Sequence, residues 1–291
     1  MLRLPKFEYL SPKSVDQASS LLSLHTGDAK VIAGGTDLLV RMKRREIKPK
    51  YLIGLRNIPD LDYVKYEETG GLRIGALATN NSILNSPLIR KKFYVLTETM
   101  SRMATPEVRN IGTMVGNLCN AAPSADTAPP LTVLGAKVRL TSSKGERIAL
   151  LEDFFLGPGE TILQTGEWVT EIQVPNLIPG TGAAYLKLSR TAMDLAVVGV
   201  AVAVRLKGKT CTDVKIALGA VAPTPMRAKR AEEILKGKTI TSELIEEASR
   251  IASEECKPIS DVRGSAEYRR EIVRVFTRQA VEQALGRAAA A

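Results

Sequence analysis

The first sixty or so residues carry one helical stripe of apolar side chains and several short apolar runs. Apolar spacing of three and four predicts a helix over 14–24, opened by Ser14 with Gln17 three positions later as in a capping box. Its stripe consists of Val15, Ala18, Leu21 and Leu22. Runs at 30–33 and 51–55 predict two buried strands, with a helix between them that begins at Thr36 or Asp37. This pattern is typical of a small β-α-β-α-β lobe.

The middle of the chain alternates strand-like and helix-like segments. A strand is predicted over 72–79, followed by a helical segment that begins near Pro87 and runs to about residue 104. Further strands are predicted over 136–142, 147–150 and 169–175.

The stretch 109–130, "RNIGTMVGNLCNAAPSADTAPP", has a different composition from its surroundings. It is rich in Gly, Asn, Ala, Ser and Pro and carries almost no charge. A surface loop of this length is normally polar and charged. We therefore predict a long loop whose backbone packs closely on another group.

A Pro- and Gly-rich break at 175–182 is the predicted domain boundary. Beyond it, apolar runs predict an antiparallel meander with strands over 183–189, 195–206 and 214–221. Two amphipathic helices, over 243–254 and 267–285, close the chain.

Charge and cysteine content narrow the function classes. The formal net charge is +10, with its densest basic run at 41–50, but no interleaved aromatics or zinc spacing accompany that run. We therefore expect no nucleic acid partner and interpret the run as a solvated face or a docking face for an acidic surface. No apolar run is long enough for a membrane span. The three separated cysteines predict neither disulfides nor a metal site, and favour a cytoplasmic protein.

Two glycine-bearing segments carry the candidate chemistry. "AGGTD" (33–37) follows a predicted strand, and "GTMVGN" (112–117) lies within the uncharged stretch. A diglycine alone predicts only a turn. Two such segments together suit a dinucleotide pyrophosphate, which needs convergent backbone N–H donors and no Cβ at the closest points. Neither segment matches the Rossmann GxGxxG or a Walker sequence, so the predicted site is of another type.

These segments, with "FEYLSPKSVDQASSLL" and the closing "DVRGSAEYRREIVRVFTRQAVEQAL", resemble the flavin-binding medium subunit of the molybdenum hydroxylase family. That family includes the carbon monoxide dehydrogenase and xanthine dehydrogenase types. The resemblance implies an α+β fold. A two-lobed FAD-binding domain of the vanillyl-alcohol-oxidase-like (PCMH) type is expected over 1–177, with lobes of about 1–58 and 59–177. An α+β C-terminal domain, with an antiparallel sheet and helices, is expected over 178–287.

The resemblance also implies which residues contact FAD. The first loop of the family falls on 30–37 and the second on 113–117, and single positions match elsewhere. The implied set is Lys30, Val31, Ile32, Ala33, Gly34, Gly35, Thr36, Asp37, Met103, Thr113, Gly116, Asn117, Asp126, Val169 and Lys187. Neither a catalytic residue nor a metal ligand is expected in this chain.

One position departs from the family pattern. Val115 stands where the second loop usually has a glycine, and a valine there is expected to bring a branched side chain toward the ligand. The chain also lacks the cysteine cluster of the 4-hydroxybenzoyl-CoA reductase subunit. Three other residues are interpreted structurally: His25 as a helix cap, Cys119 as a small buried thiol and Asp194 as a turn cap. A redox role for Cys119 and an approach of Asp194 to the flavin are the alternatives.

The implied function is electron transfer within a multi-subunit oxidoreductase. A large partner carries the molybdenum cofactor, a small partner carries two [2Fe–2S] clusters, and the FAD passes electrons to an external acceptor. A heterohexamer, as a dimer of heterotrimers, is the expected assembly. Two alternatives stay open: a self-contained flavin oxidoreductase of the same fold, and a non-catalytic scaffold that has lost FAD.

Overall fold

A computed structural model describes residues 3–290. The first lobe is a three-stranded parallel sheet with two helices. Its elements are β1 (Glu8–Leu10), α1 (Val15–Leu24), β2 (Ala29–Ile32), α2 (Leu38–Lys43) and β3 (Tyr51–Gly54). β3 lies between β1 and β2. The Ser14 hydroxyl accepts from the Gln17 N–H at 3.1 Å, whereas the Gln17 side chain accepts from Lys13 N–H instead of Ser14 N–H. The predicted lobe is confirmed, with half of its capping box shifted by one residue.

The second lobe combines a five-stranded antiparallel sheet with a series of short helices. The sheet has the order β4-β5-β10-β6-β7, and β8 and β9 form a small hairpin beside it. The strands are β4 (Val64–Glu67), β5 (Gly71–Gly75), β6 (Lys137–Ser142), β7 (Gly145–Leu150), β8 (Phe155–Gly157), β9 (Glu160–Thr161) and β10 (Trp168–Val174). The helices are α3 (Asn80–Asn85), α4 (Pro87–Lys92), α5 (Tyr94–Ser101), α6 (Pro106–Ile111), α7 (Met114–Cys119) and α8 (Ala128–Val133).

Two predictions in this lobe are wrong. The uncharged stretch is not a long loop, because Thr105 and Thr113 cap α6 and α7 with their hydroxyls and α8 follows with every side chain buried. Small residues there allow close helix packing, which composition alone does not distinguish from a loop. The strand predicted over 72–79 ends at Gly75, and Thr79 instead caps α3.

The C-terminal part is an antiparallel meander covered by helices on one face. The sheet has the order β11-β12-β13-β14, with β11 (Thr181–Leu188), β12 (Val198–Lys207), β13 (Thr210–Gly219) and β14 (Met226–Arg227). The helices are α9 (Lys229–Leu235), α10 (Ser242–Glu255) and α11 (Ala266–Ala289). The three predicted strands and both closing helices are present, and α9 and β14 are additional.

Both faces of this sheet are buried, which explains why β12 is a continuous apolar run. Val200 and Val202 face the C-terminal core with α10 and α11. Ala201 and Ala203 face the other way and belong to the core of the second lobe, whose helix α8 packs against β12. Tyr185 shares that second face, so side chains of β11 can reach the second lobe. In the described part of the chain, no helix has both the length and the apolarity that crossing a bilayer requires.

Candidate functional site

The two glycine-bearing segments lie directly against each other. Gly34 follows β2, and a Cβ on this residue would collide with the carbonyl oxygen of Ile111 and approach Cα of Gly112. Gly35 adopts φ +73°, a left-handed conformation that favours glycine. The first glycine therefore permits a backbone-to-backbone contact, and the second permits the turn. We call this contact between 33–37 and 111–117 the glycine seam.

Several backbone N–H groups at the glycine seam have no acceptor in the described protein. Those of Gly34, Gly35, Thr36 and Asp37 lie between the end of β2 and the first turn of α2 and donate no hydrogen bond. The Thr36 hydroxyl lies beside Gly112, 3.4 Å from the position that a Cβ of that glycine would take. The seam therefore offers a set of free donors with little side-chain bulk between them.

The second segment is shaped by a helix cap. The Thr113 hydroxyl accepts from the Gly116 N–H at 3.0 Å, and a Cβ on Gly116 would lie 2.9 Å from that hydroxyl oxygen. The Asn117 side-chain oxygen accepts from the Thr127 hydroxyl at 2.7 Å. Gly116 therefore permits the cap, and Asn117 connects the segment to the residue next to Asp126.

Val115, the residue that departs from the family pattern, lies in a helix. It is the second residue of α7, has no positive φ and is 4% exposed within the core of the lobe. A helical position requires the negative φ that valine prefers, so no glycine conformation is needed here. The departure from the family pattern is thereby accommodated by packing.

Asp126 and Lys187 form a buried ion pair across the two parts of the molecule. Lys187 Nζ on β11 lies 2.8 Å from Asp126 Oδ2, and the Tyr185 hydroxyl donates to Asp126 Oδ1 at 3.0 Å. Burial raises the pKa of Asp126, and the charge and hydrogen bond of Lys187 oppose that rise. Lys187 also donates to the carbonyl of Arg102 at 3.2 Å, which leaves one ammonium proton for a further acceptor.

Met103 lies in the turn between α5 and α6, next to that contact. Its carbonyl oxygen accepts from Arg109 Nη1 at 2.9 Å, and the Ala104 carbonyl accepts from the same nitrogen at 2.7 Å. Lys187 bonds both Asp126 and the carbonyl of Arg102, and Met103 is the next residue of the chain, so these three predicted positions lie around one turn.

Val169 and Cys119 meet where α7 packs on β10. Val169 precedes an irregularity in the pairing of β10 with β6, and the Cys119 thiol interacts with its backbone. Burial raises the pKa of Cys119 to about 12, so the thiol is protonated at neutral pH. Cys119 is half-buried as a residue, and its protonated thiol does not favour a thiolate redox role.

The remaining interpreted residues have local partners. Asp194 accepts from the Leu195 N–H at 2.8 Å and from Arg190 Nε at 3.1 Å, which is a turn cap. His25 ends α1 and stacks on Tyr51 with ring centroids 3.7 Å apart. Neither belongs to the hydrogen-bonded groups around the seam.

Sequence reasoning missed two residues of this region. Tyr185 holds Asp126, and its signal was its place two residues before Lys187 on the same face of a strand. Arg109 donates to the carbonyl of Met103 in the turn, and the one sequence feature that could have indicated it is an arginine at the start of an almost uncharged stretch. Within residues 3–290, no cluster of three or more His, Cys, Asp or Glu side chains is arranged for a metal ion.

Two family models match the chain, one over each of its two parts. It matches the family model for the FAD binding domain in molybdopterin dehydrogenase over residues 5–177, and that for the CO dehydrogenase flavoprotein C-terminal domain over 183–284. It is 37% identical over 285 residues to the carbon monoxide dehydrogenase medium chain of Hydrogenophaga pseudoflava, covering 98% of this chain and 99% of the relative. It is 35% identical over 279 residues to the glyceraldehyde dehydrogenase medium chain of Sulfolobus acidocaldarius, covering 96% and 98%.

The fold agrees with these matches. A chain of carbon monoxide dehydrogenase from Hydrogenophaga pseudoflava, in a form lacking the Mo-pyranopterin moiety of its cofactor, superposes with a TM-score of 0.95. The identity is 37%, and the match covers 98% of this chain and 99% of that chain.

The residues present fit a bound FAD. The free N–H groups of the glycine seam suit pyrophosphate oxygens, and Gly34 allows the two backbones to meet. Asn80, 2% exposed, donates its N–H to the Gly112 carbonyl, while its side-chain oxygen is buried without a partner. An unpaired buried acceptor beside the seam is a position that a ligand hydroxyl or N–H would satisfy. The chain belongs to the FAD-binding medium subunits of the molybdenum hydroxylase family.

Proposed function

We propose that this chain is the electron-transferring FAD subunit of a molybdenum-dependent dehydrogenase complex. It takes electrons from [2Fe–2S] clusters of a small partner subunit and delivers them to an external acceptor. The observation that carries this proposal is the glycine seam, a cluster of free N–H donors held together by the contact of Gly34 with Ile111. The relatives named medium chains support the partners, since a medium chain implies a larger and a smaller one.

We propose the following residues as the FAD contacts. The set comprises Lys30, Val31, Ile32, Ala33, Gly34, Gly35, Thr36 and Asp37 of the first segment, Thr113, Gly116 and Asn117 of the second, and Met103, Asp126, Val169 and Lys187 around them. The first segment and the start of α7 bind the pyrophosphate through backbone N–H groups. We also propose the division into an FAD-binding domain over 1–177 and a C-terminal domain over 178–287.

The protein holds and tunes the cofactor, and bound FAD supplies the chemistry of accepting and releasing electrons. The Asp126 carboxylate fixes the Lys187 ammonium, because both are almost fully buried and 2.8 Å apart. The remaining proton of Lys187 would then be available, from a fixed position, to an acceptor on the cofactor. Tyr185 keeps Asp126 in place through the other carboxylate oxygen, and the protonated Cys119 stays chemically inert.

A dimer of heterotrimers in the cytoplasm is the proposed assembly. The three cysteines are free thiols, in keeping with a reducing compartment. Electron tunnelling requires a short path between cofactors, so the small subunit is placed against the FAD edge.

Native mass spectrometry of the complex purified from its own host tests this proposal. We expect the 31.5 kDa chain together with one larger and one smaller subunit in equal amounts. A stable monomer or homodimer that turns over a substrate without partners would instead support a self-contained flavin oxidoreductase. An intact complex in which this chain lacks FAD would support the scaffold alternative.

A further inference from the structure

Buried cations hold three consecutive carbonyl groups in the turn between α5 and α6. Lys187 donates to the carbonyl of Arg102, and Arg109 Nη1 donates to those of Met103 and Ala104. Ala104 has φ +47°, a left-handed conformation that alanine seldom adopts. The shape of this turn therefore depends on side chains from outside it.

Arg109 is buried without a close ionic partner, and the exposed Glu107 carboxylate interacts with its charge from a greater distance. The Arg109 residue is 9% exposed, and no carboxylate of the described residues lies within ion-pair distance of its guanidinium. Its Nε is buried without a partner. Burying an unpaired charge costs free energy, so a neutral side chain would fill this space at lower cost. What an apolar side chain lacks is a nitrogen with two hydrogens, which can donate to two neighbouring carbonyls at once.

The helix that carries Arg109 also carries one half of the glycine seam. α6 ends at Ile111, whose carbonyl contacts Gly34, and Gly112 follows it. One short helix therefore touches the seam with its last backbone groups and the Met103 turn with the Arg109 side chain. Any shift of that turn relative to the seam must break the Arg109 hydrogen bonds.

We propose that Arg109 is a positioning residue that sets the Met103 turn at a fixed distance from the glycine seam and so orients bound FAD. This proposal rests on the proposed FAD site. Arg109 acts through Met103 and Ala104, and the seam supplies the pyrophosphate contacts independently of it. Loss of the guanidinium is therefore expected to change the geometry of the bound cofactor more than the amount of cofactor that binds.

Arg109→Met and Arg109→Lys in the full chain, within the purified complex, test the proposal. The visible circular dichroism of the FAD-saturated protein reports the environment of the isoalloxazine ring. We expect Arg109→Met to change that spectrum and to weaken FAD binding by about tenfold. Arg109→Lys, which keeps a cation and can bond at least one carbonyl, should restore part of both. Arg90→Met, the same change at an exposed position of α4, is the control and should leave both unchanged.

The outcomes separate this proposal from the function on which it rests. Wild-type protein that takes up no FAD contradicts the proposed function. Wild-type protein that binds FAD, with both Arg109 variants matching its spectrum and affinity, contradicts the positioning role alone. If Arg109→Met fails to fold, the spectrum of Arg109→Lys decides, and an unaltered spectrum with lower thermal stability would show a purely structural role.

Discussion

At the scale of single residues, Gly34 and Gly35 have different physical reasons to be glycine. Gly35 needs its left-handed backbone, whereas Gly34 needs the absence of a Cβ where two chain segments touch. The sequence predicted a site at these positions because two glycine-bearing segments together suit a pyrophosphate. It did not predict that the segments contact each other, because such a contact depends on the tertiary fold. The same limit applies to Arg109, whose partners are the carbonyls of a turn.

Gly34→Ala should weaken FAD binding by about tenfold or more, because the new methyl group forces the first segment away from Ile111. FAD affinity, measured by titration of the apoprotein, checks this. Gly286→Ala is the matched control, since no described atom outside the neighbouring helix backbone lies within 4 Å of the position that its Cβ would take. Equal affinity for Gly34→Ala and wild type would show that the glycine seam does not hold the cofactor.

Thiol reactivity tests the interpretation of Cys119. Burial raises its pKa to about 12, and those of Cys211 and Cys256 to about 11, so hardly any thiolate exists at neutral pH. Mass spectrometry after treatment of the folded protein with an alkylating reagent should find all three thiols unmodified, and the unfolded protein should be modified at each. Rapid, selective modification of Cys119 in the folded protein would restore a redox role for it.

At the scale of elements, sequence periodicity predicted the helices and strands that have a recognisable run or stripe of apolar side chains. The first lobe, the C-terminal meander and the two closing helices all follow this rule. The short helices α6, α7 and α8 were missed because each has only six residues, too few for periodicity to emerge. Their signals were local instead: threonine caps at 105 and 113, and proline in the first turn of α6 and α8.

Val115→Gly tests the account of α7. Removing a buried side chain from a helix should lower the free energy of unfolding by about 2–4 kcal/mol. FAD affinity should stay within about threefold of wild type, because the Val115 side chain is buried in the core of the lobe. Urea unfolding of the apoprotein and FAD titration check the two parts. A large change in affinity with unchanged stability would place this side chain at the cofactor.

At the scale of the whole molecule, a buried carboxylate network stabilises the sheet of the second lobe. Glu171, 1% exposed on β10, accepts hydrogen bonds from Tyr63, Arg73 and Gln173. Burial alone would raise its pKa, but these bonds and the charge of Arg139 hold the pKa below the ordinary value of 4.5. Since the folded pKa is depressed, the stabilisation is present above pH 4.5 and is lost as the pH falls through the folded pKa.

Glu171→Gln should therefore lower the free energy of unfolding by about 2 kcal/mol at neutral pH. The difference from wild type should shrink as the pH falls below 4.5. Denaturant unfolding at several pH values measures this. Glu68→Gln is the control, because the Glu68 side chain is 84% exposed and its one ion pair within residues 3–290 is with Lys92 at 3.6 Å. A pH-independent difference for Glu171→Gln would show that the ionised carboxylate is not the stabilising species.

The second whole-molecule feature is the union of the C-terminal sheet with the lobe that carries the glycine seam. The alanine face of β12 and the Asp126–Lys187 ion pair join the two parts, so a proposed cofactor contact lies on each side. The Pro- and Gly-rich break at 175–182 predicted the boundary between these two parts. The shared core was not predicted, because β12 is apolar on both faces, and an unbroken apolar run does not indicate what each face packs against.

The FAD content of the chain itself, measured after the native complex is dissociated into subunits, tests the central claim most directly. The account predicts one FAD for each copy of this chain, recovered with it and rebound by the apoprotein in the same ratio. Flavin recovered with another subunit, or a folded apoprotein that takes up none in excess FAD, would contradict it.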